Sequence, residues 1–377
     1  MKKFIKMSLV AAVAVAGLSS TSSARTLAEV ADNVNVFGYV QIRADQKSTT
    51  DTTAPSTSDD NGITHKEVIG LTGKINDDLS YMFAGANLRT DDTTDGADYK
   101  GFLMVYNYFT YTGIKDTSIS FGRQGLDTPL TVVYDPADAT SEATGLSLTS
   151  KLGPVTLNLA RFSSTDFDGV GARYSFPGAV AITGGETYTH LGLAAKVGPV
   201  AVDAWYANME DQYDTFTVGA SAKLKAGEVM VSPYARYAAA DIENVNADQS
   251  IAQAGVTVKA GIIGGAVAYG ASDKEGSWVT FDKDAKANIQ GWNISMLGNA
   301  DADLLKLNLN VDVLKNLNLA ANYTTMDVAN VNTNELYAQA KYQMSSNFSS
   351  TLKIGQIDGD TFTAKRDVAR LDLLWSF

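Results

Sequence analysis

The feature that most constrains this chain is a two-residue alternation of apolar and polar side chains, sustained over runs of ten to twelve residues. In Asn33 to Asp45, Val34, Val36, Gly38, Val40, Ile42 and Ala44 alternate with Asn35, Phe37, Tyr39, Gln41, Arg43 and Asp45. The same grammar returns in Gln249 to Ala260 and in Asp303 to Asp312, where Leu305, Leu307, Leu309 and Val311 alternate with Lys306, Asn308 and Asn310. A period of two is the signature of a strand with one apolar and one polar face. Soluble strands average about five or six residues, whereas a tilted strand needs about 9 to 11 to cross a bilayer. Aromatics end the apolar rows (Tyr206, Tyr237, Tyr323) or begin one (Phe216), as expected where a lipid-facing band meets headgroups. The expectation is an all-β, transmembrane antiparallel barrel.

The N-terminus reads as an export signal. Lys2, Lys3 and Lys6 precede an apolar run from Met7 to Leu18, and Ser22-Ser23-Ala24 offers the small residues that a signal peptidase reads. That run is too short to span a bilayer, which needs about 20 residues. Residues 1–24 are expected to be the signal peptide and residues 25–377 a single barrel domain. Losing three lysines takes the net charge from −12 to −15. No apolar stretch is long enough for a membrane helix.

Connections alternate between very short and long. Eight short turns, among them Asn76-Asp77-Asp78, Gly153-Pro154, Gly198-Pro199 and Gly261-Ile262, fall between nine long ones, including 46–63, 90–100, 125–142, 164–187 and 273–302. This count gives eighteen strands, with sixteen and twenty as the alternatives; the twenty-strand version needs a hairpin of Val170 to Phe176 with Ala179 to Thr183. Ile289 to Gly298 is assigned to the seventh long loop. Pro233 lies inside an expected strand and suggests a bulge, and 117–124 is the weakest strand. The chain closes on Leu371, Leu373, Trp375 and Phe377, each two apart, an ending that resembles the assembly signal of outer-membrane barrels.

Other residues narrow the function. The absence of cysteine removes thiol and zinc-thiolate chemistry, and His65 and His190 lie far apart in the chain. An acidic balance argues against nucleic-acid binding. A barrel phospholipase would need a serine beside a histidine, and no serine motif marks such a partner for His190. The expectation is a channel and not an enzyme.

Thr26-Leu27-Ala28-Glu29-Val30-Ala31-Asp32-Asn33-Val34-Asn35-Val36-Phe37-Gly38-Tyr39 resembles the mature start of the Campylobacter-type major outer membrane proteins. Phe121-Gly122-Arg123-Gln124, followed by a proline and then Val132-Val133-Tyr134-Asp135, resembles the strand-to-third-loop passage of general trimeric porins. The resemblance implies a homotrimer of water-filled barrels for small hydrophilic solutes and ions in the outer membrane of a Gram-negative bacterium. It further implies a third loop, about 125–142, folded inward, with Arg123 projecting into the constriction. Ile119 and Phe121 share parity with Arg123, so that either a bulge intervenes or this strand packs at a subunit contact.

Charge then suggests how the pore would select. The nine long loops hold 28 of the 42 acids against six bases. The third loop carries Asp127, Asp135, Asp138 and Glu142 with no base, the composition of an acidic loop facing basic wall residues, for which Arg43, Arg123, Arg161 and Arg236 are the candidates. Weak cation preference is expected. No cofactor is required, and Ca²⁺ at the acidic constriction is the one metal expectation. Six lysines, Lys74, Lys151, Lys196, Lys223, Lys259 and Lys341, sit on inward rows just before periplasmic turns and would ring the inner mouth. The alternative functions are a substrate-specific channel or a surface adhesin, either of which would bind its ligand through Trp278, Phe281 and Trp292 of the seventh loop.

Overall fold

The computed structural model describes residues 34–51, 57–92, 96–133, 141–166, 185–243, 245, 247–360 and 364–377. The signal peptide, Asp135, Asp138 and the extra hairpin at 170–183 lie outside these residues. One antiparallel sheet contains all the strands, and the first pairs with the last, so that the sheet closes. β1 (Val34–Asp51), β2 (Thr57–Lys74), β3 (Leu79–Asp92), β4 (Gly96–Ile114), β5 (Thr117–Gly125) and β6 (Glu142–Leu152) form one part of the wall. β7 (Val155–Thr165), β8 (Tyr188–Val197), β9 (Val200–Met209), β10 (Tyr213–Ala222), β11 (Leu224–Ala226), β12 (Val229–Ile242) and β13 (Gln249–Ala260) continue it. β14 (Ile263–Ser272), β15 (Ala302–Leu314), β16 (Leu317–Val328), β17 (Val331–Gln343), β18 (Phe348–Gly359) and β19 (Ala364–Ser376) complete it. β10 and β11 both pair with β12 and are two pieces of one stave, which makes the barrel eighteen-stranded.

The break between β10 and β11 has a local cause. Continuing their registers places Ala222 and Lys223 opposite Pro233 and Ser232 of β12. Proline has no N–H to offer the ladder, so the neighbouring stave loses a bond there. The bulge expected at Pro233 itself is absent: β12 and β13 pair without a register shift from Val229 to Ala240, and Pro233 faces Val256. The irregularity passed to the neighbour.

Alternation sorts the side chains as the pattern demands. Val36, Ile69, Leu193, Val202, Leu309, Leu336 and Ile354 are exposed on the outer face. In a membrane barrel this is the face that meets hydrocarbon. Tyr206 and Tyr269 lie on the same face, where their hydroxyls donate to Asp214 and Asp303. At the other end, Gly153, Gly198, Gly227 and Gly261 each take a φ near +60° in the short turns, a conformation that favours glycine.

Two expected long connections are largely strand. β1 runs on to Asp51 and β2 begins at Thr57, while β3 and β4 reach Asp92 and Gly96. These Ser-, Thr- and Asp-rich segments carry no apolar row, but backbone pairing above a bilayer needs none. β5, the strand with the weakest pattern, is nine residues long.

The barrel closes at its last residue. Gly38 and Phe377 exchange both backbone hydrogen bonds at 3.0 Å, and Tyr39 to Asp51 of β1 pair with Ser376 to Ala364 of β19. The Phe377 ring lies tilted against Trp375, centroids 4.9 Å apart, and a Cβ at Gly38 would lie 2.8 Å from it. Deleting Phe377 removes the final pair and the outward aromatic. The expected result is a several-fold lower yield of barrel in outer-membrane fractions with periplasmic export unchanged, measured by fractionation and immunoblot; normal yield would remove the assembly role of this residue.

Candidate functional site

The lumen is not simply lined with polar side chains. On the inward rows, the upper ends of the staves carry Phe162, Tyr188, Met209, Tyr213, Ile242, Ile251 and Leu304, all essentially inaccessible to solvent. They meet Leu126 and Leu130 of the third loop and Trp278, Val279, Phe281, Ile289 and Met296 of the seventh in one hydrophobic cluster. Both loops therefore fold into the barrel. Burying this apolar surface is the driving force, at about 25 cal/mol per Å².

Hydrogen bonds fix the course of the seventh loop. On one side the Tyr213 hydroxyl donates to the Trp278 carbonyl at 2.7 Å and Thr215 donates to that of Val279 at 2.8 Å. In the middle Gln253 donates to the carbonyls of Lys286 and Asn288. The loop meets the third loop through Phe281 N–H to Leu130 and Ala287 N–H to Pro129, both 2.9 Å. At the far side Lys306 donates to the Gln290 carbonyl at 2.8 Å. There, too, the fully buried Glu335 carboxylate of β17 accepts the backbone N–H groups of Trp292 and Asn293 at 2.7 and 2.5 Å. The segment 289–298, assigned to this loop from sequence, forms a tight internal hairpin with Gln290 opposite Ser295. The expectation that Trp278 and Phe281 are available outside for a ligand is overturned: both are core residues. Their apolar surface is worth more against the barrel's inner wall than in water.

The expected constriction residues separate. Arg123 of β5 lies at 2.8 Å from Glu142 of β6 and 3.9 Å from Asp166. Since β5 enters the third loop and β6 leaves it, this pair ties the two roots of the loop together. The β5–β6 register is unbroken from Thr117 to Gly125, so no bulge intervenes; Gly122, at φ +130°, supplies the local distortion. Asp166, beyond the end of β7, accepts from the Glu142 N–H at 2.7 Å. Burial, followed by the nearby Glu142 charge, pushes its carboxyl up to about 7. Asp127 is exposed at the start of the loop.

Arg236 faces the lumen but is spent on a bidentate pair with Asp203, at 2.7 and 2.9 Å, lying over Gly219, where any side chain would collide with its guanidinium. Arg43 also faces inward, 2.6 Å from Asp372. Arg161 does not line the pore. It is exposed on the row of Leu157 and Leu159, and its neighbour Phe162 takes the inward position, which corrects the expectation from sequence. One residue of strand register decides this, because alternate residues point to opposite faces. All six lysines share lumen-facing rows near the short turns. Lys259 pairs with Asp312, and the other five are exposed.

Of a larger basic wall, sequence reasoning named only Arg43. The inward rows of β1, β2, β18 and β19 bring together Arg43, Lys66, Lys353, Arg366 and Arg370, among Asp45 and Asp372. Arg370 pairs with Asp45 at 2.6 Å, and Gln41 joins Arg43 on Asp372 at 3.0 Å. Trp292 of the seventh loop faces this wall, with Lys353 and Arg370 at 5.2 and 5.6 Å from its ring. The signal was the polar row of the last strand, Arg366, Arg370 and Asp372, eclipsed by the apolar row that carries the assembly ending.

Glu335 is the test of whether the seventh loop obstructs the pore. Each charge-assisted hydrogen bond it accepts is worth about 1.5–3 kcal/mol. Glu335→Ala is expected to free the loop near Trp292, raising mean single-channel conductance and adding sublevels in planar-bilayer recordings. A conductance trace matching the parent would show that the loop is held without Glu335 or does not limit the current.

A family model for the Campylobacter major outer membrane protein matches residues 1–346. Among solved structures, a BenF-like porin from Pseudomonas fluorescens Pf-5 superposes with a TM-score of 0.74 at 13% identity, covering 91% of this chain and 98% of that one. OpdQ of Pseudomonas aeruginosa gives 0.71 at 12%, covering 91% and 99%. OccK2 (OpdF) of Pseudomonas aeruginosa in complex with glucuronate gives 0.71 at 12%, covering 91% and 98%. No curated protein matches the chain in sequence. At such identities these structures are similar in fold, the closed eighteen-stranded outer-membrane barrel. With the family model spanning most of the sequence, the chain belongs to the Campylobacter major outer membrane protein family, the outer-membrane proteins of Gram-negative bacteria.

Proposed function

We propose that the protein is a passive, water-filled channel for small hydrophilic solutes and ions, trimeric and weakly cation-preferring, with no catalytic role. The observation that carries the channel reading is a closed barrel narrowed from within by two inward-folded loops. The preference for cations rests on charge placement: of the 28 acids in the long loops, Asp127, Asp135, Asp138 and Glu142 belong to the third loop, which carries no base. Screening beyond about 8 to 10 Å at physiological salt leaves the narrow region to decide selectivity over the mouths. Residues 1–24 are read as the cleaved signal. Calcium at the third loop would draw on Asp127, Asp135 and Asp138, since Arg123 already holds Glu142. Among the described residues no three metal-type ligands cluster.

Subunit contact is proposed at β2 to β7. There charged and amide side chains interrupt the apolar outer rows. Glu67 accepts from Asn87 at 2.8 Å within the row of Ile69 and Leu71, and Arg161 interrupts the row of Leu157 and Leu159. Charged groups facing lipid near mid-bilayer cost up to a few kcal/mol. Covering them with a second and third copy removes that cost.

Two measurements test this reading. Neutralising Asp127, Asp135, Asp138 and Glu142 to Asn or Gln is expected to move the reversal potential in a KCl gradient toward anion preference, while neutralising acids of the outer loop tips barely shifts it. A fourfold variant with the parental potential would exclude the third loop as the selective constriction. Native mass spectrometry in mild detergent is expected to show three times the monomer mass, and a monomer at every concentration would end the trimer assignment.

A further inference from the structure

Lys353 stands apart from the other wall cations. It lies on the lumen-facing row of β18, with exposed Leu352 and Ile354 on either side facing out. Register places it directly opposite Arg370 of β19, which in turn lies opposite Asp45 of β1. Like charges in direct cross-strand register are destabilising. Among the described residues every nearby carboxylate is already engaged. Asp45 pairs with Arg370, Asp372 with Arg43 and Gln41, and Glu335 with the backbone of Trp292 and Asn293. Among the described residues Lys353 has no carboxylate within salt-bridge distance; its ammonium lies over the rings of Trp292 and Tyr337, at 5.2 and 5.7 Å.

We propose that Lys353 and Arg370, held against Trp292 at the tip of the seventh loop, form a binding subsite for the carboxylate group of small organic acids passing through the pore. The inference rests on the channel reading and adds a solute class to it. A carboxylate between the two cations accepts charge-assisted hydrogen bonds from both and relieves their repulsion. Trp292 and Tyr337, packed edge to face at 5.2 Å, both lie beside the Lys353 ammonium, while Asp45 holds Arg370 from its other side. Such a subsite is compatible with an overall preference for small cations, because the third-loop acids act on small ions in the narrow region and this pair acts within a Debye length on solutes that carry a carboxylate.

The probe is benzoate, with benzamide as its uncharged isostere, added during single-channel recording in KCl. Benzoate is expected to produce resolved interruptions of the wild-type current at millimolar concentration and benzamide none. Lys353→Met, which keeps the side-chain bulk without the charge, is expected to raise the half-blocking concentration about tenfold, the loss of one such contact of roughly 1.4 kcal/mol; Lys353→Arg is expected to restore block. The unmodified KCl conductance of each variant reports that the barrel has folded. Equal benzoate block in wild type and Lys353→Met, or equal block by benzamide, would overturn the subsite while leaving the channel intact. Absence of any current from the wild type would overturn the channel reading and the subsite with it.

Discussion

Backbone hydrogen bonding within lipid is the constraint on which the rest of this structure depends. A strand edge in hydrocarbon leaves N–H and C=O groups that nothing can satisfy, so a membrane sheet has to close. Here closure rests on the pairing of β1 with β19, from Tyr39 with Ser376 upward, and on the exchange between Gly38 and Phe377. Where one staple of that ladder is missing, at Pro233, the neighbouring stave breaks into β10 and β11 without opening the barrel. The sheet tolerates an interruption of one bond because the pairings on both sides continue.

A wall closed in this way has its hydrophobic face outward, which leaves the interior to be filled by other means. The third and seventh loops supply a core of their own inside the lumen, with Phe281 and Trp278 packed on Tyr188, Tyr213 and Ile251. The arrangement inverts a soluble domain: the apolar core lies inside a wall whose own hydrophobic face points outward. Polar anchors then choose among ways of packing it. Glu335, Gln253 and Lys306 each bind loop backbone, and a buried carboxylate such as Glu335 is tolerated because two N–H groups satisfy it.

Charge inside the barrel follows the same economy. Arg236 with Asp203 and Arg123 with Glu142 are pairs that hold staves and loop roots in place, which removes them from the set of free charges that a solute meets. On the basic wall of β1, β18 and β19, Arg43 and Arg370 are paired with carboxylates in the same way, and Lys353 lies over Trp292 of the seventh loop.

The period-two pattern determined the barrel, the outward apolar rows and the terminal seam, because each depends on which of two faces a residue takes and that is written locally. Eighteen staves, with sixteen and twenty as alternatives, came from the spacing of short and long connections. The pattern also marked Arg43 and Arg236 as inward. Tertiary structure alone decided how far the strands extend past the apolar rows, since paired backbone needs no particular side chain. It alone turned Arg161 outward, where one residue of register near a strand end reverses the face. The inward fold of the seventh loop was legible only as a faint irregularity: large apolar residues such as Met209, Ile242, Ile251 and Leu304 on rows that should have been polar. What these side chains bury is a loop distant in sequence, and a local pattern carries no record of its partner. The opposition of Lys353 and Arg370 arises in the same way, from the register between two staves whose own sequences each look ordinary.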